Sequence, residues 1–128
     1  MKSVLIVEDE IFIAMEIERI LQDAGYTVVG IAADQPEALA AAAAAEVAFV
    51  DLNLRDGPTG PNLAQQLAER FGVRIVYVTA NPSQIVNPAP TAIGCIRKPF
   101  SEDAILSAAA IAAQPEASPV AHQDIIKL

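Results

Sequence analysis

Polar residues stand where four short apolar runs end: Glu8-Asp9 after Val4-Leu5-Ile6-Val7, Asp51 after 47–50, Thr79 after 73–78, and Lys98 just past 92–96. If the runs are strands of one sheet, these side chains converge. Two unit charges about 4 Å apart at an effective dielectric near 20 repel by roughly 4 kcal/mol. One lysine offsets only part of that among three acids. A hard divalent cation held by carboxylate oxygens and water relieves the remainder, and Mg2+ suits such a partial cage. A metal with open positions beside a carboxylate, a hydroxyl and an ammonium is equipment for phosphoryl transfer. The metal, the Thr79 hydroxyl with the amide after it, and Lys98 would each take one equatorial oxygen of the transferred group. Asp51, central in the row, is the acid expected to carry it as a labile acyl phosphate.

The elements that must position these residues alternate. The strand runs 4–7, 27–31, 47–50, 73–78 and 92–96 are apolar at nearly every position, as strands covered on both faces should be. Between the first two, Ile13, Ile17, Ile20, Leu21 and Ala24 form one helical stripe closed by Gly25. Asp34-Gln35-Pro36-Glu37 opens a second, alanine-rich helix running to Ala45. A third is expected over 62–71 after a loop at 56–61, with Gly72 as its stop. Ser101-Glu102-Asp103 starts a last helix reaching about Ala113. Pro82, Pro88 and Pro90 leave room for only a short or irregular fourth helix before the fifth strand. Such alternation predicts an α/β, doubly wound, five-stranded parallel sheet. In the order 2-1-3-4-5, ligands bind where the chain direction reverses, between strands one and three. Glu8-Asp9 and Asp51 lie at that point.

Composition narrows the chemistry. The 128 residues are 53% hydrophobic, enough for one core and one domain. Eight Lys and Arg against 16 Asp and Glu give a net charge of −8, which disfavours nucleic acid and anionic membranes as partners. One cysteine and one histidine, His122, supply neither a zinc cluster nor a disulfide. The opening residues are too short for a signal-peptide core and no apolar run is long enough to span a bilayer, so a cytoplasmic domain is expected. No GxxxxGK[ST] or GxGxxG follows any strand, and Asn53 stands where a DxD-type phosphatase needs its second acid. With 5% aromatics the chain is poorly supplied to stack a flavin. Met15 and Phe100 read as packing residues.

In VLIVEDE, FVDLNL, VYVTA and IRKPF the chain resembles the receiver domains of bacterial two-component response regulators, over roughly residues 2–114. The resemblance implies a flavodoxin-like fold and residues 115–128 as a C-terminal tail without a separate output domain. It also implies a phosphoacceptor switch rather than a conventional enzyme, phosphorylated at Asp51 by a histidine kinase or a histidine phosphotransfer protein. Output would be through changed protein contacts or phosphate relay, from a monomer or weak dimer. Carried over by position, Thr79 and Lys98 assist transfer, Asp9 and Asp51 bind Mg2+ directly, Glu8 acts mostly through water, and Asn53 adds a backbone carbonyl. Asn53 and Asn81 flank the path of hydrolytic water. The Lys98-Pro99 bond is expected to be cis. The proline-broken segment and DLNLRDG-x-TG are most similar to receivers of alphaproteobacterial general-stress regulators. One position departs: Cys95 stands where such domains carry Tyr or Phe, so the output is expected to use the backbone of 82–90 instead of ring rotation. A degenerate receiver that binds partners without phosphorylation is the other reading.

Overall fold

The computed structural model describes residues 2–114 and 123–128. In chain order these form β1 (Ser3–Val7), α1 (Ile11–Asp23), β2 (Thr27–Ala32), α2 (Gln35–Ala41) with a 3-10 turn Ala42–Ala44, β3 (Val47–Val50) and α3 (Gly60–Phe71). There follow β4 (Arg74–Thr79), a 3-10 turn Pro82–Gln84, β5 (Ala92–Arg97), α4 (Glu102–Ala113) and β6 (Ile125–Ile126). The sheet order is β2-β1-β3-β4-β5-β6, with β1 to β5 parallel and β6 antiparallel on β5.

The parallel 2-1-3-4-5 core is the expected one, with one correction. A sixth strand lies within the stretch expected to be tail; two residues carry no readable period, and the open edge of β5 offers the partner. The short, irregular fourth helix that was expected is a single 3-10 turn, since Pro82 opens it and Pro88 and Pro90 withhold amide donors from any continuation. Pro115, Pro119 and His122 lie outside the described residues, as does the expected boundary after residue 114.

Alternate strand residues enter opposite cores. Leu5, Val7, Val50, Ile75 and Tyr77 pack with Ala38 of α2 and with Leu63 and Leu67 of α3. Val4, Ile6, Phe49, Val76 and Ile96 pack with Ile17 and Ile20 of α1 and Ile105 of α4. Capping fixes where the helices begin. The Asp34 carboxylate accepts from the Glu37 amide at 3.0 Å, and the Ser101 hydroxyl accepts from the Ala104 amide at 3.1 Å.

α3 begins two residues earlier than its periodicity indicates, and a glycine makes that possible. Gly60 donates its amide to the Leu52 carbonyl at 3.0 Å, so the helix abuts the end of β3. A Cβ there would lie 2.2 Å from the Asp51 carbonyl oxygen and 2.5 Å from Leu52 Cα. Gly60→Ala is therefore expected to push the 51–60 loop outward and cost roughly 1–3 kcal/mol, read by chemical denaturation. Wild-type stability for this variant would show that the loop yields freely.

Candidate functional site

The polar residues at the strand ends are placed by backbone ladders that continue past the strands. Glu8 donates its amide to the Ala32 carbonyl and Asp51 donates to that of Val7, both at 2.9 Å. The Lys98 amide donates to the Thr79 carbonyl, also at 2.9 Å. Residues 8, 51, 79 and 98 thus stand side by side at the carboxyl edge of four adjacent strands.

Their side chains form one cluster. Carboxylate oxygens of Glu8, Asp9 and Asp51 lie within 4.8 Å of one another. The Lys98 ammonium donates to Glu8 Oε1 at 2.6 Å and to Asp51 Oδ2 at 2.9 Å. The remaining Asp51 oxygen, Oδ1, accepts from the Leu52 amide at 2.7 Å. Glu8 Oε2 accepts from the Glu10 amide at 3.1 Å, closing the turn that leads into α1. Glu8, Asp51 and Thr79 are buried, whereas Asp9 is exposed at the mouth. The Thr79 hydroxyl accepts from the Asn81 amide at 3.1 Å, one strand over from Asp51.

Three carboxylates against one ammonium leave a surplus of negative charge in a largely dry place. Burial pushes the Glu8 carboxyl up to about 7 from an ordinary 4.5; the Lys98 bond opposes this and the Asp51 charge adds to it. For Lys98, burial works against the ammonium, but the bonds to Glu8 and Asp51 outweigh it and hold its pKa above the ordinary value. The all-oxygen donor set and the uncompensated charge fit a hard divalent cation.

The Asn53 side chain bonds outside the carboxylate cluster. Its Nδ2 donates to Gln84 Oε1 at 3.0 Å and its Oδ1 accepts from Gln84 Nε2 at 3.2 Å, clasping the 3-10 turn to the loop after β3. Gln84 carried no signal in the sequence, because the pairing spans 31 residues of chain. The Lys98-Pro99 peptide is cis, as expected. Cys95 is buried, and its neighbour across the ladder on β4 is Tyr77. Both belong to the same core, and the Tyr77 hydroxyl accepts from the Ala89 amide at 2.9 Å. Tyr77 thereby ties β4 to the loop before β5. Burial raises the Cys95 thiol to about 11, so it stays protonated. Met15, expected to pack, is half exposed beside Ile11 and Phe12.

The family model of the response regulator receiver domain matches residues 4–110. Among characterised relatives, the phyllosphere-induced regulator PhyR of Methylorubrum extorquens is 31% identical over 102 residues, 77% of this chain and 38% of that protein. The sensory transduction protein RegX3 of Mycolicibacterium smegmatis is 37% identical over 108 residues, 79% of this chain and 46% of that protein. The chain therefore spans less than half the length of these relatives. Its fold is similar to the solution structure of the Erythrobacter litoralis PhyR receiver domain. There the TM-score is 0.80 at 29% identity, over 94% of this chain and 96% of that one.

Proposed function

Because the chain belongs to the response regulator receiver domain family, we propose that it accepts a phosphoryl group on Asp51, with Mg2+, from a histidine kinase or a histidine phosphotransfer protein. One observation carries this reading: a single ammonium, Lys98, bridges Asp51 and Glu8 while Asp9 completes a carboxylate triad. In the transfer a carboxylate oxygen of Asp51 attacks phosphorus, the N–P bond of the donor phosphohistidine breaks, and the freed imidazole nitrogen takes up a proton. Lys98 is within reach of the phosphoryl oxygens from its place beside Asp51, and the Thr79 hydroxyl faces the same edge. Both hold charge that develops on the group in flight. Glu8, Asp9 and Asp51, with the Asn53 carbonyl, would hold Mg2+, which supplies charge neutralisation and orientation when bound.

An apolar surface supports a protein as donor. Phe12 is 83% exposed, and with Ile13, Ala80, Pro99 and Phe100 it borders a hollow of about 510 Å³ that reaches Lys98. Exposed aromatic and aliphatic side chains around a reactive group are the composition of a docking site. Among the described residues no helix is long and apolar enough to cross a membrane. The usual marks of a receiver that binds partners without phosphorylation are a lost acceptor, a lost acid or a lost lysine. All are present, and no observation favours that reading.

Intact-mass spectrometry after incubation with acetyl phosphate tests the proposal. A species heavier by one phosphoryl group is expected with Mg2+ and not with a chelator; the unmodified mass alone under both conditions would overturn it.

A further inference from the structure

β6 sits where a partner strand would add. Ile126 pairs with Cys95 and Ile125 with Ile96, antiparallel, along what is otherwise the open edge of the sheet. Position 94 is shaped to this neighbour. A Cβ on Gly94 would lie 2.7 Å from Ile125 Cγ2 and 2.9 Å from the Ile126 carbonyl oxygen. The next nearest atom is again in β6, the Ile126 carbonyl carbon at 3.7 Å. Glycine inside a strand marks a place where another backbone comes close. The segment is also held at either side. Ile125 packs against the core beneath α1 and α4, and the Ser101 hydroxyl, the cap of α4, donates to Asp124 at 3.5 Å. A hollow of about 530 Å³ lies between the segment and the turn after β5, with Lys98 and Phe100 on one wall and Gln123 and Asp124 on the other.

We propose that segment 123–128 is a displaceable latch on β5, engaged while Asp51 is free and released when Asp51 is phosphorylated; this rests on the acceptor role of Asp51. The ladder to β6 stops at Ile96, two residues before Lys98. The Lys98 ammonium is bonded to Glu8 and Asp51 themselves. Esterifying Asp51 replaces a carboxylate oxygen by phosphoryl oxygens further from the strand, and the lysine with its end of β5 must follow them. β6 fits β5 as β5 stands now. A two-residue ladder, at about 0.5–1.5 kcal/mol net per hydrogen bond, is weak enough to yield to that shift. Coupling of this kind is reciprocal: what the acceptor site does to the latch, the latch does equally to the acceptor site.

Hydrogen exchange and beryllofluoride binding, both on the full chain, test the latch. Saturating beryllofluoride with Mg2+ should speed exchange of whichever of the Ile125 and Ile126 amides faces β5 about fivefold, and Asp51→Asn should show no such change. Gly94→Ala should free the segment without ligand and tighten beryllofluoride binding by a similar factor. Ile125→Ser, which removes the anchor from the segment instead of crowding β5, should reproduce both effects. The latch is refuted if the amides of Asp51 and Thr79 respond to beryllofluoride while those of Ile125 and Ile126 do not. It is equally refuted if either variant frees the segment with affinity unaltered. If no amide responds anywhere, the acceptor reading itself falls, and the latch with it.

Discussion

Asp51→Asn is expected to bring phosphoryl incorporation down to background while leaving the fold intact. An amide oxygen has neither the charge nor the basicity to attack phosphorus, so the nucleophile is lost at the one position from which Lys98 can assist. The substitution is nearly isosteric. Its oxygen can still accept a bond from Lys98 or Leu52, the two groups that now donate to the Asp51 carboxylate. Without metal, the variant should be more stable than the wild type by on the order of 1 kcal/mol, because it removes one charge from a cluster with surplus negative charge. Mg2+ should then raise its melting temperature less than that of the wild type, where Mg2+ at ten times its dissociation constant adds about 1.4 kcal/mol. Intact mass and melting curves with and without Mg2+ measure both effects. Labelling that survives the substitution would move the acceptor to another residue.

The residues on which this prediction turns were readable in the sequence because a parallel sheet brings its carboxyl ends to one edge. All-apolar runs mark such a sheet, so Glu8, Asp9, Asp51, Thr79 and Lys98 converge by topology alone. Features that depend on contacts between distant segments were not readable. The pairing of Cys95 with Tyr77, 18 positions away in the chain, shows only once β4 and β5 are aligned. Gly60 reads as one more loop residue, since the space a Cβ would need there is taken by the backbone of Asp51 and Leu52. Toward the metal Asn53 is expected to offer its backbone carbonyl alone, and the bonds of its side chain to Gln84 lie in a segment whose prolines announced weakness without showing where the polar groups go. β6 is two residues long, and only the free edge of β5 makes it a strand.

The second large effect is in the pH dependence of the metal-free chain. Glu8 is raised from 4.5 to about 7, first by burial and then by the charge on Asp51, with the Lys98 bond opposing. A carboxyl whose pKa is higher folded than unfolded binds more protons in the native state between those two values, so stability falls as pH rises through that window. The drop should be complete just above pH 7 and amount to on the order of 3 kcal/mol at most. Other shifted groups act elsewhere on the pH scale. Hydrogen bonds from Arg19, Arg55 and Lys2 lower the carboxyls of Glu16, Asp34 and Glu46 respectively, and their contributions are lost only on acidification below the ordinary carboxyl range. Lys98 is raised and loses its contribution only at alkaline pH. Between about pH 5 and pH 7 the slope therefore belongs chiefly to Glu8. Mg2+ opposes it, because a cation held by the ionised triad displaces the Glu8 proton, and its stabilising effect should grow across the same interval. Glu8→Gln should flatten the metal-free curve there and weaken the pH dependence of the Mg2+ effect. Urea denaturation in a chelator at several pH values, repeated with Mg2+, measures these slopes. A wild-type chain whose metal-free stability holds steady or climbs over that interval would mean that Glu8 is ionised throughout, and that Lys98 alone balances the cluster.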